Sequence, residues 1–88
     1  MTKKISIKVF ADPGHAWARV AKSKLVTLGI ADKISTYSYQ KGENVFLEED
    51  CDLSVLISAL RVRGYEIKFN ESHTNRQSKI RNYSTYKV

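Results

Sequence analysis

The sequence predicts an α+β fold, a small single domain with a mostly antiparallel sheet packed against one main helix. Three patterns carry this reading: apolar and polar residues alternate over 4–10, two further strand-like runs flank Lys41-Gly42-Glu43, and leucine and isoleucine repeat at helical spacing over 52–63. With 88 residues, 42% hydrophobic and 27% charged, the chain is long enough for one domain. It is too short for a βαβαβ nucleotide-binding half with its own substrate domain. A domain of this size hides only about 60 to 65% of the surface that its unfolded chain exposes, which disfavours a large enclosed active site.

In the first element, Ile5, Ile7 and Val9 alternate with Lys4, Ser6 and Lys8, the pattern of a strand with one buried and one wet face. Asp12-Pro13-Gly14 ends it as a turn. Residues 15–20 form a second strand, with Ala16, Ala18 and Val20 on one face and His15, Trp17 and Arg19 on the other. Residues 22–28 suggest a short helix closed by Gly29. From Ile34 the pattern is a hairpin, with Tyr37 and Tyr39 sharing a face and Val45 and Leu47 alternating with Phe46 and Glu48. The main helix spans 52–63, with Asp52 placed to cap its first amides and Gly64 to end it. A strand follows over 65–69, with Tyr65, Ile67 and Phe69 facing inward and the helix at its side. In residues 70–88, Ile80, Tyr83 and Tyr86 recur every three residues, which suits a docked turn, an extended return along the sheet or a flexible tail.

Charge is high and unevenly spread. Fifteen Lys and Arg against nine Asp and Glu give +6, so a polyanion or an acidic protein surface is an electrostatically reasonable partner. Residues 1–24 carry six basic groups and one acidic, 43–52 carry five acidic and no basic, and 65–88 carry five basic and two acidic. The single Cys51 allows no internal disulfide, and with only two histidines the chain cannot build a cysteine-rich zinc module. Neither a signal peptide nor an apolar span is visible, so the expected location is the cytoplasm and no membrane partner is expected.

Few groups point to catalysis. Cys51 is the one thiol, but Glu49, Asp50 and Asp52 oppose thiolate formation, so a Cys-dependent hydrolase using a histidine ranks last. His15 and His73 have no metal-binding spacing, the acidic run 48–50 lacks a calcium loop, and the glycines form no phosphate-cradling motif. No metal, cofactor or enzymatic activity is expected. The more informative set is aromatic and basic. Trp17, Arg19, Tyr37 and Tyr39 are candidates for a protein interface, where such residues concentrate binding energy. For nucleic acid the candidates are His15, Trp17 and Arg19, with rings stacking on bases, and Arg76, Lys79 and Arg81 meeting phosphates.

DPGHAW at 12–17, LGIADKISTYSYQKG at 28–42, FLEEDCD at 46–52, ALRVRG at 59–64 and HTNRQSKIR at 73–81 resemble a family of small proteins encoded by bacterial phages, prophages and plasmids. The resemblance spans nearly the whole chain. It implies an accessory binding role on a mobile genetic element, including inhibition of a host defence protein or nucleoprotein complex. It implies no role for any particular residue. Direct binding of single-stranded or non-specific nucleic acid is the alternative, and the net positive charge argues against a duplex-DNA mimic.

Overall fold

A computed structural model describes residues 3–88 as an α+β domain built on one mixed six-stranded sheet. Its strands are β1 (Lys3–Ala11), β2 (Ala16–Ala21), β3 (Tyr39–Lys41), β4 (Asn44–Glu48), β5 (Tyr65–His73) and β6 (Ser84–Thr85). The helices are α1 (Lys22–Thr27) and α2 (Leu53–Val62), and 3-10 turns lie at Ala31–Lys33, after α1, and Lys79–Asn82, after β5. The spatial order is β5-β1-β2-β4-β3-β6. Every neighbouring pair is antiparallel except β1 and β5, which run parallel from Lys3 opposite Tyr65 to Ala11 opposite His73. That crossover is long enough to be parallel because everything between β1 and β5, including α2, intervenes.

The principal core lies on one face. Ile7, Val9, Ala11, Ala16, Ala18, Val20, Val45 and Leu47 point from the sheet towards Leu56 and Leu60 of α2, with Leu25, Leu28, Ile30 and Ile34 closing the layer. The alternation of β1 holds as expected, with Lys4, Ser6 and Lys8 exposed on the other side. Gly29, Gly42 and Gly64 all have positive φ, and Gly64 turns the chain from α2 straight into β5.

Three local expectations are corrected. Residues 35–38 are not strand: β3 begins at Tyr39, and Tyr37 sits in a turn, 69% exposed, so the two tyrosines do not share a strand face. Asp52 does not cap α2 through its side chain. It is buried and accepts hydrogen bonds from the Ser35 amide and from the hydroxyls of Ser35 and Ser38, so long-range donors replace the local ones. Phe69 is 43% exposed rather than inward. The ten residues of α2 are about 15 Å long, whereas the nine of β5 reach about 30 Å, so the helix covers Tyr65 and Ile67 and the strand runs on past it.

The tail is docked, and it combines both ordered alternatives. After β5 it crosses to the face opposite α2, makes the 3-10 turn that buries Ile80, and pairs as β6 with β3. Tyr86 then reaches the principal core. Its amide donates to Ser38 O at 2.9 Å and its phenol to Ala31 O at 2.6 Å. Burial, and secondarily the charges of Asp32 and Asp52, push this phenol above its ordinary pKa. A raised folded-state value stabilises the fold below the unfolded pKa of about 10 and loses that contribution as pH rises further. Tyr86→Phe is therefore expected to cost about 1 kcal/mol at pH 7 and to flatten the decline of urea-unfolding stability above pH 10. Equal slopes for the two proteins would contradict this.

Candidate functional site

The face opposite α2 carries the side chains at the alternate positions of each strand. These are Lys4, Ser6, Lys8 and Phe10 from β1, Trp17 and Arg19 from β2, Phe46 and Glu48 from β4, Tyr39 and Lys41 from β3, and Glu66 and Lys68 from β5. The tail divides this face in two.

One half is covered. Trp17, Phe46 and Ile80 form a second core with Phe10, Tyr39 and Tyr83 packed against it. Trp17 is only 2% exposed. Its ring meets Tyr39 edge-on at 6.4 Å and His15 at 6.0 Å, and the Arg81 guanidinium lies over it at 5.2 Å. The expectation of an open aromatic face centred on Trp17 is thus corrected: the chain's own tail occupies it. Tyr39 is half-buried beside the indole, while Arg19 and Tyr37 remain exposed but on different surfaces.

Arg81 is committed internally as well. Asp12 Oδ2 accepts from Arg81 Nε at 2.8 Å and from the Ser78 amide at 2.9 Å. Oδ1 accepts from Arg81 Nη2 at 3.0 Å and from the Gly14 and His15 amides at 2.9 Å. The arginine first, then the amides, hold the Asp12 carboxyl far below the usual carboxylate range. Its guanidinium is consequently not a free phosphate ligand. Asp12 went unnoticed as more than a turn residue, because its partners lie 66 and 69 positions away.

At the other end of β2 and β4, a concavity of about 270 Å³ is lined by His15, Trp17, Tyr37, Glu48, Asp50 and Cys51, among others. His15 Nδ1 stands 3.3 Å from Glu48 Oε1. The exposed Cys51 thiol is pushed up by local desolvation, then by a hydrogen bond with Glu48 and the charges of Glu48, Asp52 and Asp50. That is the opposite of what a nucleophilic thiolate needs. His73 belongs to a separate concavity of about 330 Å³ beside Phe10, together with Arg76 and Lys79.

The uncovered half of the face is basic. Lys4, Lys8, Arg19, Lys41 and Lys68 occupy it, with Glu66 at one corner. Lys8 and Arg19 flank the half-buried Phe10 ring at 5.2 and 5.7 Å, and Lys41 lies 5.0 Å from the Tyr83 ring. The ion pairs among the described residues are His15–Glu48 and Arg81–Asp12, so none of these five cations is neutralised by a carboxylate there. Of the sequence candidates, Arg19 falls in this patch, and Arg76 and Lys79 line the neighbouring concavity beside Phe10. Lys4 and Lys8 were visible as the wet side of β1, whereas Lys41 comes from β3 and only the β1–β5 pairing brings Lys68 beside them. Among the described residues, no helix is long and apolar enough to cross a membrane. No family model, curated protein or solved structure matches the chain.

Proposed function

We propose that the chain is a non-catalytic accessory binding protein whose working surface is the open basic half of the sheet. Its partner presents nucleic-acid phosphates, as a free single strand or within a host nucleoprotein complex. The observation that carries this reading is that Lys4, Lys8, Arg19, Lys41 and Lys68 lie on one face of the sheet with no carboxylate partner among the described residues. Cations of this kind neutralise phosphates and release their counterions. The patch extends about 20 Å along β1 from Lys4 to Phe10 and about 19 Å across five strands, room for several nucleotides. A protein hot spot fits less well, since lysine is depleted at the centre of such interfaces. The resemblance to proteins of phages, prophages and plasmids supports an accessory role directed at a host complex, and the raised Cys51 thiol counts against a hydrolase.

Fluorescence anisotropy with labelled 12-nucleotide RNA and DNA strands tests this. Binding is expected at 50 mM salt and should weaken roughly 50-fold by 200 mM if four phosphates are neutralised. Lys8→Glu with Arg19→Glu should abolish it, whereas Lys33→Glu, at the distant 3-10 turn, should have little effect. Absence of binding at 50 mM salt, or binding that survives the double charge reversal, would falsify the assignment. Recovery of a host nucleoprotein complex by tagged wild type, but not by the double variant, would extend it to the cellular partner.

A further inference from the structure

The end of the sheet remote from Lys4 gathers carboxylates around one imidazole. His15, Glu48, Glu49 and Asp50 each offer a ligand atom, and all these atoms lie within 4.8 Å of one another. Acidic turns are common on protein surfaces, so the cluster alone carries little. Glu48 supplies the independent observation. Its side chain is only 10% exposed, and its two oxygens are treated very differently. Oε2 accepts from the Asp50 and Cys51 amides at 2.9 and 3.0 Å, which holds the carboxylate in one orientation. Oε1 is buried and accepts no hydrogen bond among the described residues.

A buried carboxylate oxygen without a donor is costly, and native structures rarely leave one so. His15 Nδ1 is near at 3.3 Å but out of hydrogen-bond alignment. That separation has another meaning. Ligands about 2.0 to 2.1 Å from a tetrahedral zinc ion lie about 3.3 to 3.4 Å apart, so Nδ1 and Oε1 are already spaced as two ligands of one ion. Trp17 Nε1 is a second buried polar atom with no partner, and it lines the same concavity as His15, Glu48 and Asp50. An oxygen bound there from water or an anion is the kind of acceptor it lacks.

We propose that His15 and Glu48, completed by Asp50 or Glu49, bind a divalent first-row transition-metal ion. A nitrogen and carboxylate set suits Zn²⁺ and its neighbours better than Ca²⁺, which takes six to eight oxygens. The site belongs to a different region from the basic patch and does not depend on nucleic-acid binding.

Calorimetric titration of chelator-stripped protein with Zn²⁺ at pH 7 should give one ion per chain. His15→Ala and Glu48→Gln should each weaken binding at least 10- to 100-fold, the range that mere outer-shell partners produce. Both variants are expected to fold: His15 is exposed, and glutamine keeps an oxygen for the Asp50 and Cys51 amides. His73→Ala, in the separate concavity beside Phe10, should leave affinity unchanged. At 100-fold excess over Kd, Zn²⁺ should raise the wild-type melting temperature by about 10 °C or more, and that of His15→Ala far less. The proposal is overturned if no heat is observed, if His15→Ala binds like wild type, or if binding disappears with His73.

Discussion

Trp17→Ala is expected to destabilise the protein by about 3 to 5 kcal/mol, the usual cost of truncating a buried tryptophan. Against the 5 to 15 kcal/mol typical of a whole domain, this is a large share. The ring fills the space between the sheet and the tail, touching Tyr39 and His15 and lying beneath Arg81. Its loss leaves a void between Phe46, Ile80 and Tyr83 beneath the tail and weakens the tail's packing. Urea unfolding should therefore show a lower midpoint, and limited proteolysis should cut residues 74–88 faster. Trp17→Phe should cost less than half as much, because it keeps most of the apolar contact and removes the unpartnered indole N–H. Nucleic-acid affinity, measured where each variant is folded, should barely change, since the indole is not on the open half of the face. A midpoint within 0.5 kcal/mol of wild type would contradict the buried role, and a specific loss of affinity without loss of stability would restore the exposed one.

The contrast between Trp17 and the elements that the sequence made legible is one of range. The alternation of Ile5, Ile7 and Val9, the turn at Asp12-Pro13-Gly14, the helical repeat of α2 and the stop at Gly64 are local signals, decided by neighbours a few residues away. Alternation also put Trp17 correctly on the face opposite Ala16 and Ala18. It cannot say whether that face is wet, because the cover comes from Ile80 and Arg81, more than sixty residues later. Asp52 fails as a cap for the same reason: the local rule was outcompeted by Ser35 and Ser38. Phe69 kept the period of its strand beyond the reach of the helix that would have buried it. The sites follow this logic. Lys4 and Lys8 were legible as exposed, but the patch exists only through pairing with Lys68, and the meeting of His15 with Glu48 depends on the β2–β4 register.

Asp12→Ala is expected to lower the melting temperature by about 5 to 10 °C, because it removes the common acceptor of three amides and a part-exposed guanidinium. Five hydrogen bonds converge on this carboxylate, two from Arg81 and three from the amides of Gly14, His15 and Ser78. It therefore ties the β1–β2 turn to the tail at one point. Arg81→Met should be milder, because the three amides keep their acceptor and the methionine still covers Trp17. The double variant should be scarcely worse than Asp12→Ala alone, the mark of two groups acting as a unit. Acid provides a second test. A depressed folded-state pKa means that Asp12 stabilises the fold fully above about pH 5. That contribution declines as pH falls through the unfolded value near 4 and onward towards the much lower folded one. Asp12→Asn removes the titrating group, so its urea midpoint should change less than that of wild type between pH 5 and pH 3. Parallel acid profiles, or a double variant whose loss equals the sum of the two singles, would mean that the tail is held by the Trp17 cluster and that the Asp12–Arg81 pair contributes little.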